Sequence, residues 1–259
     1  MLLALDIGNT EATVAVYRGD DLVAMGRLTT NAPRTPDEWA AATAALLAQH
    51  EVPARAIRAC ALASVAPPVT HDLMEGLRLL TGVEVLAIDA GSPLPVVLDV
   101  DEPKAVGADR IVNALSASLT YRADTVVVDF GTATTFDCVT RDGRFLGGAI
   151  MPGIRTSAEY LTRKTAKLPA VDMAAPPRAI GRATVEAIQA GVLFGAADAV
   201  DGMIDRVRRE WPGGVVPRVV ATGGLAAMVA PLSRTIELVD RDLTLRGIRF
   251  AARHLGLDW

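Results

Sequence analysis

LLALDIGNT (Leu2–Thr10) and TVVVDFGTA (Thr125–Ala133) decide the fold of this 259-residue chain. Each reads as an apolar strand, an aspartate, an apolar residue, a glycine, then small or polar residues. Asp6 and Asp129 stand 123 residues apart, close to half the chain. More strand-like sequence follows each copy, whereas a dinucleotide-binding turn passes at once into a helix. The repeat predicts an α/β protein of two similar lobes, residues 1–121 and 122–259. Each lobe would offer a strand–turn–strand loop to a shared cleft.

Working outward, short apolar runs alternate with longer helical patterns. Leu2–Leu5, Ala12–Tyr17 and Leu22–Leu28 read as strands, with Arg18–Asp21 as a hairpin turn. Thr35 before Pro36 predicts a capped helix through His50. Ala59–Val65 reads as a strand, Pro67–Leu80 as a helix and Val83–Ile88 as a strand. The stretch 91–105 reads as a loop, and Ile111–Tyr121 as a helix. The second half repeats the opening: strands Thr125–Val128, Thr134–Val139 and Arg144–Ile150, the last two around an Asp142-Gly143 turn. A long helix over Thr184–Arg209, short strands Val219–Ala221 and Ile236–Val239, and a closing helix Leu243–His254 complete the pattern.

Composition narrows the function. With 26 basic and 30 acidic residues the net charge is −4, and 4% of residues are aromatic. That combination lacks the basic footprint and stacking platforms of a nucleic-acid binder. Mean hydropathy is +0.30. The longest uncharged stretch, Val219–Ser233, has 15 residues and is interrupted by Gly223, Gly224 and Pro231. A membrane-spanning helix needs about 20 consecutive apolar residues. MLLALDIGNT has no basic segment ahead of its apolar run, so it is not read as a signal peptide. We therefore expect a soluble, cytoplasmic protein with no nucleic-acid or membrane partner. Cys60 and Cys138 lie in apolar strand contexts without spaced partners, as buried free thiols rather than zinc ligands. No GxxxxGK[ST] occurs, which excludes a P-loop. His50, His71 and His254 are isolated on helix surfaces, so no catalytic histidine is expected.

Three clusters can carry chemistry. In Asp6-Ile-Gly-Asn-Thr10, a glycine after a strand lets backbone N–H groups approach an anion, and Asn9 and Thr10 add side-chain donors. An aspartate there would repel phosphate unless a cation intervenes, and hydrated Mg²⁺ suits it. The same residues would also make an ordinary Asx turn. Asp129-Phe-Gly-Thr-Ala-Thr-Thr135 repeats the offer, with Thr132 in the turn itself as the phosphate contact. Gly107-Ala-Asp-Arg110 sets a carboxylate and a guanidinium at a helix start, where the helix dipole favours ionised Asp109. It would serve as a proton acceptor in phosphoryl transfer, or as an N-cap beside a surface arginine. Thr222-Gly-Gly224 and the glycines of 147–153 are further candidates for close backbone approach.

In order, DIGNT (6–10), GADR (107–110), DFGTATTFD (129–137), GGAIMPG (147–153), AKLP (166–169), IGRATVEAIQAG (180–191) and TGG (222–224) closely resemble type III pantothenate kinases. These belong to the acetate/sugar kinase–Hsp70–actin superfamily. The likeness covers nearly the whole chain, and GADR with DFGTATT at this spacing is its most specific part. It implies two ribonuclease H-like, actin-like lobes around a nucleotide cleft, and ATP-dependent phosphorylation of pantothenate, the first step of coenzyme A synthesis. It implies a first phosphate loop over Asp6, Ile7, Gly8, Asn9, Thr10, Glu11, Ala12 and Thr13, with Asp6 handling Mg²⁺ through water. Gly107, Ala108, Asp109 and Arg110 would hold pantothenate, with Asp109 as base, and Thr132 would touch ATP. Asp129 would bind a monovalent cation, K⁺ or NH₄⁺. Thr184 would reach pantothenate from the other subunit of a homodimer whose active site lies near the interface. Two positions depart from the family. Val100 stands where many members have tyrosine, and Glu11 adds a carboxylate to the first phosphate loop. The alternative is a non-catalytic relative with a regulatory or transcriptional role.

Overall fold

The computed structural model describes Met1–Trp259. The chain packs as two units, Met1–Ser116 together with Leu243–Trp259, and Ala117–Asp242.

In the first unit, β1 (Leu2–Ile7), β2 (Glu11–Arg18) and β3 (Asp21–Thr29) form an antiparallel meander. There follow α1 (Pro36–Gln49), β4 (Ala59–Ser64), α2 (Pro67–Thr81), β5 (Val85–Ile88), a two-residue β6 (Val97–Leu98) and α3 (Ala108–Tyr121). The sheet order is β3-β2-β1-β4-β5, with β4 parallel to β1 and β5 parallel to β4. Period-two alternation in β1 divides its side chains between two cores. Leu3, Leu5 and Ile7 pack with Trp39 and Leu47 of α1 and Leu73 and Leu77 of α2. Leu2 and Ala4 pack with Ala108, Val112 and Leu115 of α3. Asp6 continues this second series, so it leaves the sheet on the side where α3 lies. Helix α1 starts as expected: Thr35 and Glu38 form a reciprocal capping box with Pro36 in the first turn.

In the second unit, β7 (Thr125–Phe130), β8 (Ala133–Val139) and β9 (Arg144–Pro152) form the corresponding meander. Next come α4 (Ile154–Lys164), α5 (Thr184–Glu210), β10 (Arg218–Thr222), α6 (Ala226–Val229) and β11 (Leu238–Val239). These strands follow the order β11-β10-β7-β8-β9, with β10 parallel to β7 and β11 parallel to β10. Strand for strand this repeats the first unit, with β7 in the place of β1. The sequence repeat at Asp6 and Asp129 is therefore a repeat of topology. The core packs Val126, Val128 and Phe130 against Leu193, Ala197, Val200 and Ile204 of α5. By length and composition alone α5 is apolar enough to cross a membrane. Here it is the core helix of its unit, and buried Asp201 on it accepts hydrogen bonds from Ser233 and Thr235. Cys60 and Cys138 are buried free thiols, and burial pushes the Cys60 thiol up to about 11.

Two features differ from the expected layout. The closing helix α7 (Leu243–His254) packs on the first unit, whereas the sequence reading groups 122–259 together. Its Gly247 lies against the Val112 carbonyl so closely that a Cβ would collide with it, and Thr244 donates to Asn113 at 2.8 Å. Arg249 and Arg253 both pair with Asp20 in the β2–β3 turn. The other feature is α4, which the sequence reading passes over. Its sequence IRTSAEYLTRK is polar, and only Ile154 and Ala158 are buried.

Candidate active site

The turn from β1 to β2 contains Gly8, Asn9 and Thr10. The Gly8 N–H donates to the Glu11 carbonyl at 3.0 Å, and a Cβ on Gly8 would press on that carbonyl at 3.1 Å. Asp6 pairs across the ladder with Thr13. Asn9, Thr10 and Glu11 are exposed, and Asp6 and Thr13 are half-buried. Ile7 and Ala12 are fully buried in the core, so only their backbone is available to a ligand. Glu11 does not stand as an unbalanced charge in the loop, because Arg27 on β3 lies 3.9 Å from its carboxylate.

Gly107 and the first turn of α3 form the second cluster. The helix starts at Ala108, three residues earlier than its periodicity suggests, so Asp109 sits inside the first turn. The Arg110 N–H donates to Asp109 Oδ1 at 2.8 Å. A Cβ on Gly107 would lie 2.5 Å from that same oxygen and 3.3 Å from Val65 Cγ1. Glycine is therefore what lets the Asp109 carboxylate fold back over the turn. Val65 also ties this cluster to the first loop, since its N–H donates to the Ile7 carbonyl at 3.0 Å. Asp6 and Asp109 thus belong to loops braced on one residue. The helix dipole and the Arg110 N–H favour ionised Asp109, as expected from sequence. Burial acts in the opposite direction and prevails, raising the Asp109 pKa above the usual carboxylate range. Ala108 is buried in the core under α3, and Arg110 is half-buried.

In the second unit, Asp129 is the penultimate residue of β7 and is half-buried. Gly223 follows β10 at φ +89°, a conformation natural to glycine, and a Cβ there would strike Asp129 Oδ1 and the Phe130 backbone. TGG therefore approaches Asp129 closely as it turns, with the Ala226 N–H donating to the Gly223 carbonyl at 3.3 Å. Thr132 is exposed in the β7–β8 turn. Its carbonyl accepts from the Gly153 N–H at 3.1 Å and from Thr156 Oγ1 at 2.8 Å. Sequence reasoning missed Arg27, Val65 and Thr156, which act from neighbouring elements on loops they do not belong to.

Thr184 is exposed at the first position of α5. It borders a cavity of about 890 Å³ whose other walls include Met151, Tyr160, Ile188, Val192 and Ala196. Thr156, the hydroxyl that holds the Thr132 turn, lines the same cavity. No three His, Cys, Asp or Glu side chains gather to hold a metal unaided.

Two topologically equivalent α/β units, each with a strand–Asp–x–Gly turn, define an actin-like α/β fold. Solved structures agree. The activator of 2-hydroxyisocaproyl-CoA dehydratase from Clostridium difficile with bound ADPNP matches at TM-score 0.59 and 13% identity, covering 98% of this chain and 95% of that one. A ROK family glucokinase from Streptomyces griseus in complex with glucose and AMPPNP matches at TM-score 0.51 and 13% identity, covering 98% and 99%. At such identities the likeness concerns the fold. Sequence goes further. The family model for type III pantothenate kinase matches residues 2–206. A type III pantothenate kinase of Geobacter sulfurreducens (strain ATCC 51573 / DSM 12127 / PCA) is 42% identical over 250 residues, covering 96% of this chain and 97% of that relative. The chain belongs to the type III pantothenate kinase family.

Proposed function

We propose that this enzyme transfers the terminal phosphoryl group of ATP to the primary hydroxyl of pantothenate, giving 4'-phosphopantothenate and ADP at the entry to coenzyme A synthesis. Family membership over 96% of the chain supports the activity and leaves the regulatory alternative unfavoured. The observation that carries the mechanism is Asp109, a carboxylate with a raised pKa beside a guanidinium at a glycine-braced helix start. Phosphoryl transfer needs little covalent help from protein: it needs positioning, charge neutralisation and a late acceptor for the hydroxyl proton. Asp109 orients the pantothenate hydroxyl and accepts its proton as the bond to phosphorus forms. A carboxylate whose pKa is raised is a better base than an ordinary one. Arg110 and the Gly107–Ala108 backbone hold pantothenate around that hydroxyl, and Arg110 balances negative charge.

The Asp6–Thr13 loop and Thr132 hold the phosphates of ATP through backbone and hydroxyl donors. Kinases use ATP together with a divalent metal. Asp6 and Asp129 offer oxygen donors only, which suits hard cations, and Mg²⁺ keeps waters and takes its other oxygens from phosphate. Asp6 would hold hydrated Mg²⁺. Asp129, beside the space that a Cβ on Gly223 would fill, would hold K⁺ or NH₄⁺. These ions supply the positive charge that stabilises polyphosphate in transfer. Thr184 contacts pantothenate from the second subunit of a homodimer. The apolar cavity beside Thr184, with exposed Ile150, Tyr160, Ile180 and Val185 in the same region of the chain, supports that pairing face. The same reading puts the enzyme in the cytoplasm with its ATP.

The test is coupled ADP release at millimolar ATP and Mg²⁺, with and without pantothenate, in K⁺ and in Na⁺ buffers. ADP that depends on pantothenate and is strong in K⁺ but weak in Na⁺ is the expected result. Pantothenate-independent ADP or none would contradict the substrate assignment. Equal rates in both buffers would contradict the role of Asp129.

A further inference from the structure

Strand β3 ends at Thr29, yet the next residue, Thr30, is only 6% exposed although it lies outside the strand. Its Oγ1 donates to the Gly8 carbonyl at 2.9 Å, and its N–H donates to the Thr10 carbonyl at 2.9 Å. Thr29 Oγ1 also reaches the Thr10 carbonyl, at 3.4 Å. Thr30 therefore grips the first and last residues of the β1–β2 turn. Peptide units are planar and trans, so a carbonyl and the N–H that follows it point in opposite directions. Holding the Gly8 carbonyl aims the Asn9 N–H away from Thr30, and holding the Thr10 carbonyl does the same for the Glu11 N–H. These N–H groups are the backbone donors that a phosphate loop presents.

We propose that Thr30 is a positioning residue for phosphoryl transfer, which sets the direction of the phosphate-loop donors without touching the nucleotide. The inference rests on the reading of Asp6–Thr13 as the ATP phosphate loop. Packing alone does not call for a hydroxyl here: valine has the same shape and is at least as favourable next to a strand. A valine would leave the half-buried Gly8 carbonyl without its donor and free the loop to reorient. The effect should fall on the nucleotide and spare pantothenate, because Thr30 bonds only to the first loop.

The test compares wild type with Thr30→Val, Thr30→Ser and Gly8→Val, reading kcat, the KM for each substrate and thermal midpoint. One hydrogen bond of this kind corresponds to roughly a tenfold change in an equilibrium constant. Thr30→Val is expected to raise the ATP KM roughly tenfold while the pantothenate KM stays within about twofold. Thr30→Ser, which keeps the hydroxyl, is expected to restore the ATP KM to near wild type. Equal changes in both KM values, or no rescue by serine, would mark Thr30 as merely structural and overturn the proposal. If Thr30→Val does not fold, Thr30→Ala against Thr30→Ser gives the same comparison. Gly8→Val separates the two levels of the argument. If it leaves the ATP KM unchanged, the loop is not the phosphate site and both readings fall. If it raises the ATP KM and Thr30→Val does not, only the Thr30 proposal falls.

Discussion

Asp109, the proposed base, is one side chain whose environment pulls two ways. The Arg110 N–H and guanidinium favour the carboxylate, and burial disfavours it more strongly. A carboxyl whose folded pKa lies above its unfolded value adds stability below the unfolded value, and this is lost as pH rises through the folded one. Above the folded pKa the ionised group is thus a cost to the fold. Asp109→Asn is expected to raise the thermal midpoint slightly at pH 7 while removing turnover, and calorimetry beside rate measurement checks both. The acid limb of kcat/KM should fall above the ordinary aspartate value of about 3.9, as a pH–rate profile would show. GADR made this residue legible in the sequence, where the helix dipole was visible. The burial that prevails over the dipole was not, because it depends on how Gly107 lets the carboxylate fold back over the turn.

Among elements, strands and helices were readable wherever periodicity and caps agreed. Thr35-Pro36 fixed the start of α1, and Leu243–His254 matches α7 to the residue. Helix α4 was missed because its sequence is polar and buries only Ile154 and Ala158, so it reads as surface connection. The partner of α7 was also hidden, since no sequence period says which unit a helix packs on. Gly247 marks that contact, and Gly247→Ala would drive a Cβ into the Val112 carbonyl. Overpacking of this kind costs about 1–3 kcal/mol, so a lower denaturation midpoint with unchanged substrate KM values is expected. Asp201 is the matching lock in the second unit. Burial would raise its pKa, but Ser233, Thr235 and the Arg234 and Thr235 N–H groups together hold it at about 2. Its stabilisation is present above the unfolded value and is lost as pH falls through about 2. Asp201→Asn should therefore flatten the loss of stability in acid, measured by urea melts between neutral pH and the acid limit.

For the molecule as a whole, a duplication of topology carries two Asp–x–Gly turns that the sequence displayed through its own repeat. The fold was legible from those turns. The bracing of each loop by Val65, Thr30, Thr156 and Gly223 was not, because these residues come from elsewhere in the chain. The apolar cavity beside Thr184 belongs to this scale too. Gly191→Glu would put a carboxylate on its wall, and if the proposed homodimer pairs there, sedimentation is expected to show a shift from dimer to monomer with loss of activity. An unchanged dimer would move the pairing face elsewhere. The central claim is that a pantothenate hydroxyl is phosphorylated with Asp109 as its base. Its most direct measurement is formation of 4'-phosphopantothenate, followed by mass spectrometry in K⁺ and Mg²⁺ at saturating ATP, for wild type and Asp109→Asn. The expected result is product from wild type and a loss of at least about 10²-fold in kcat for the variant, with a thermal midpoint slightly above that of wild type. Turnover by Asp109→Asn close to the wild-type rate would contradict it.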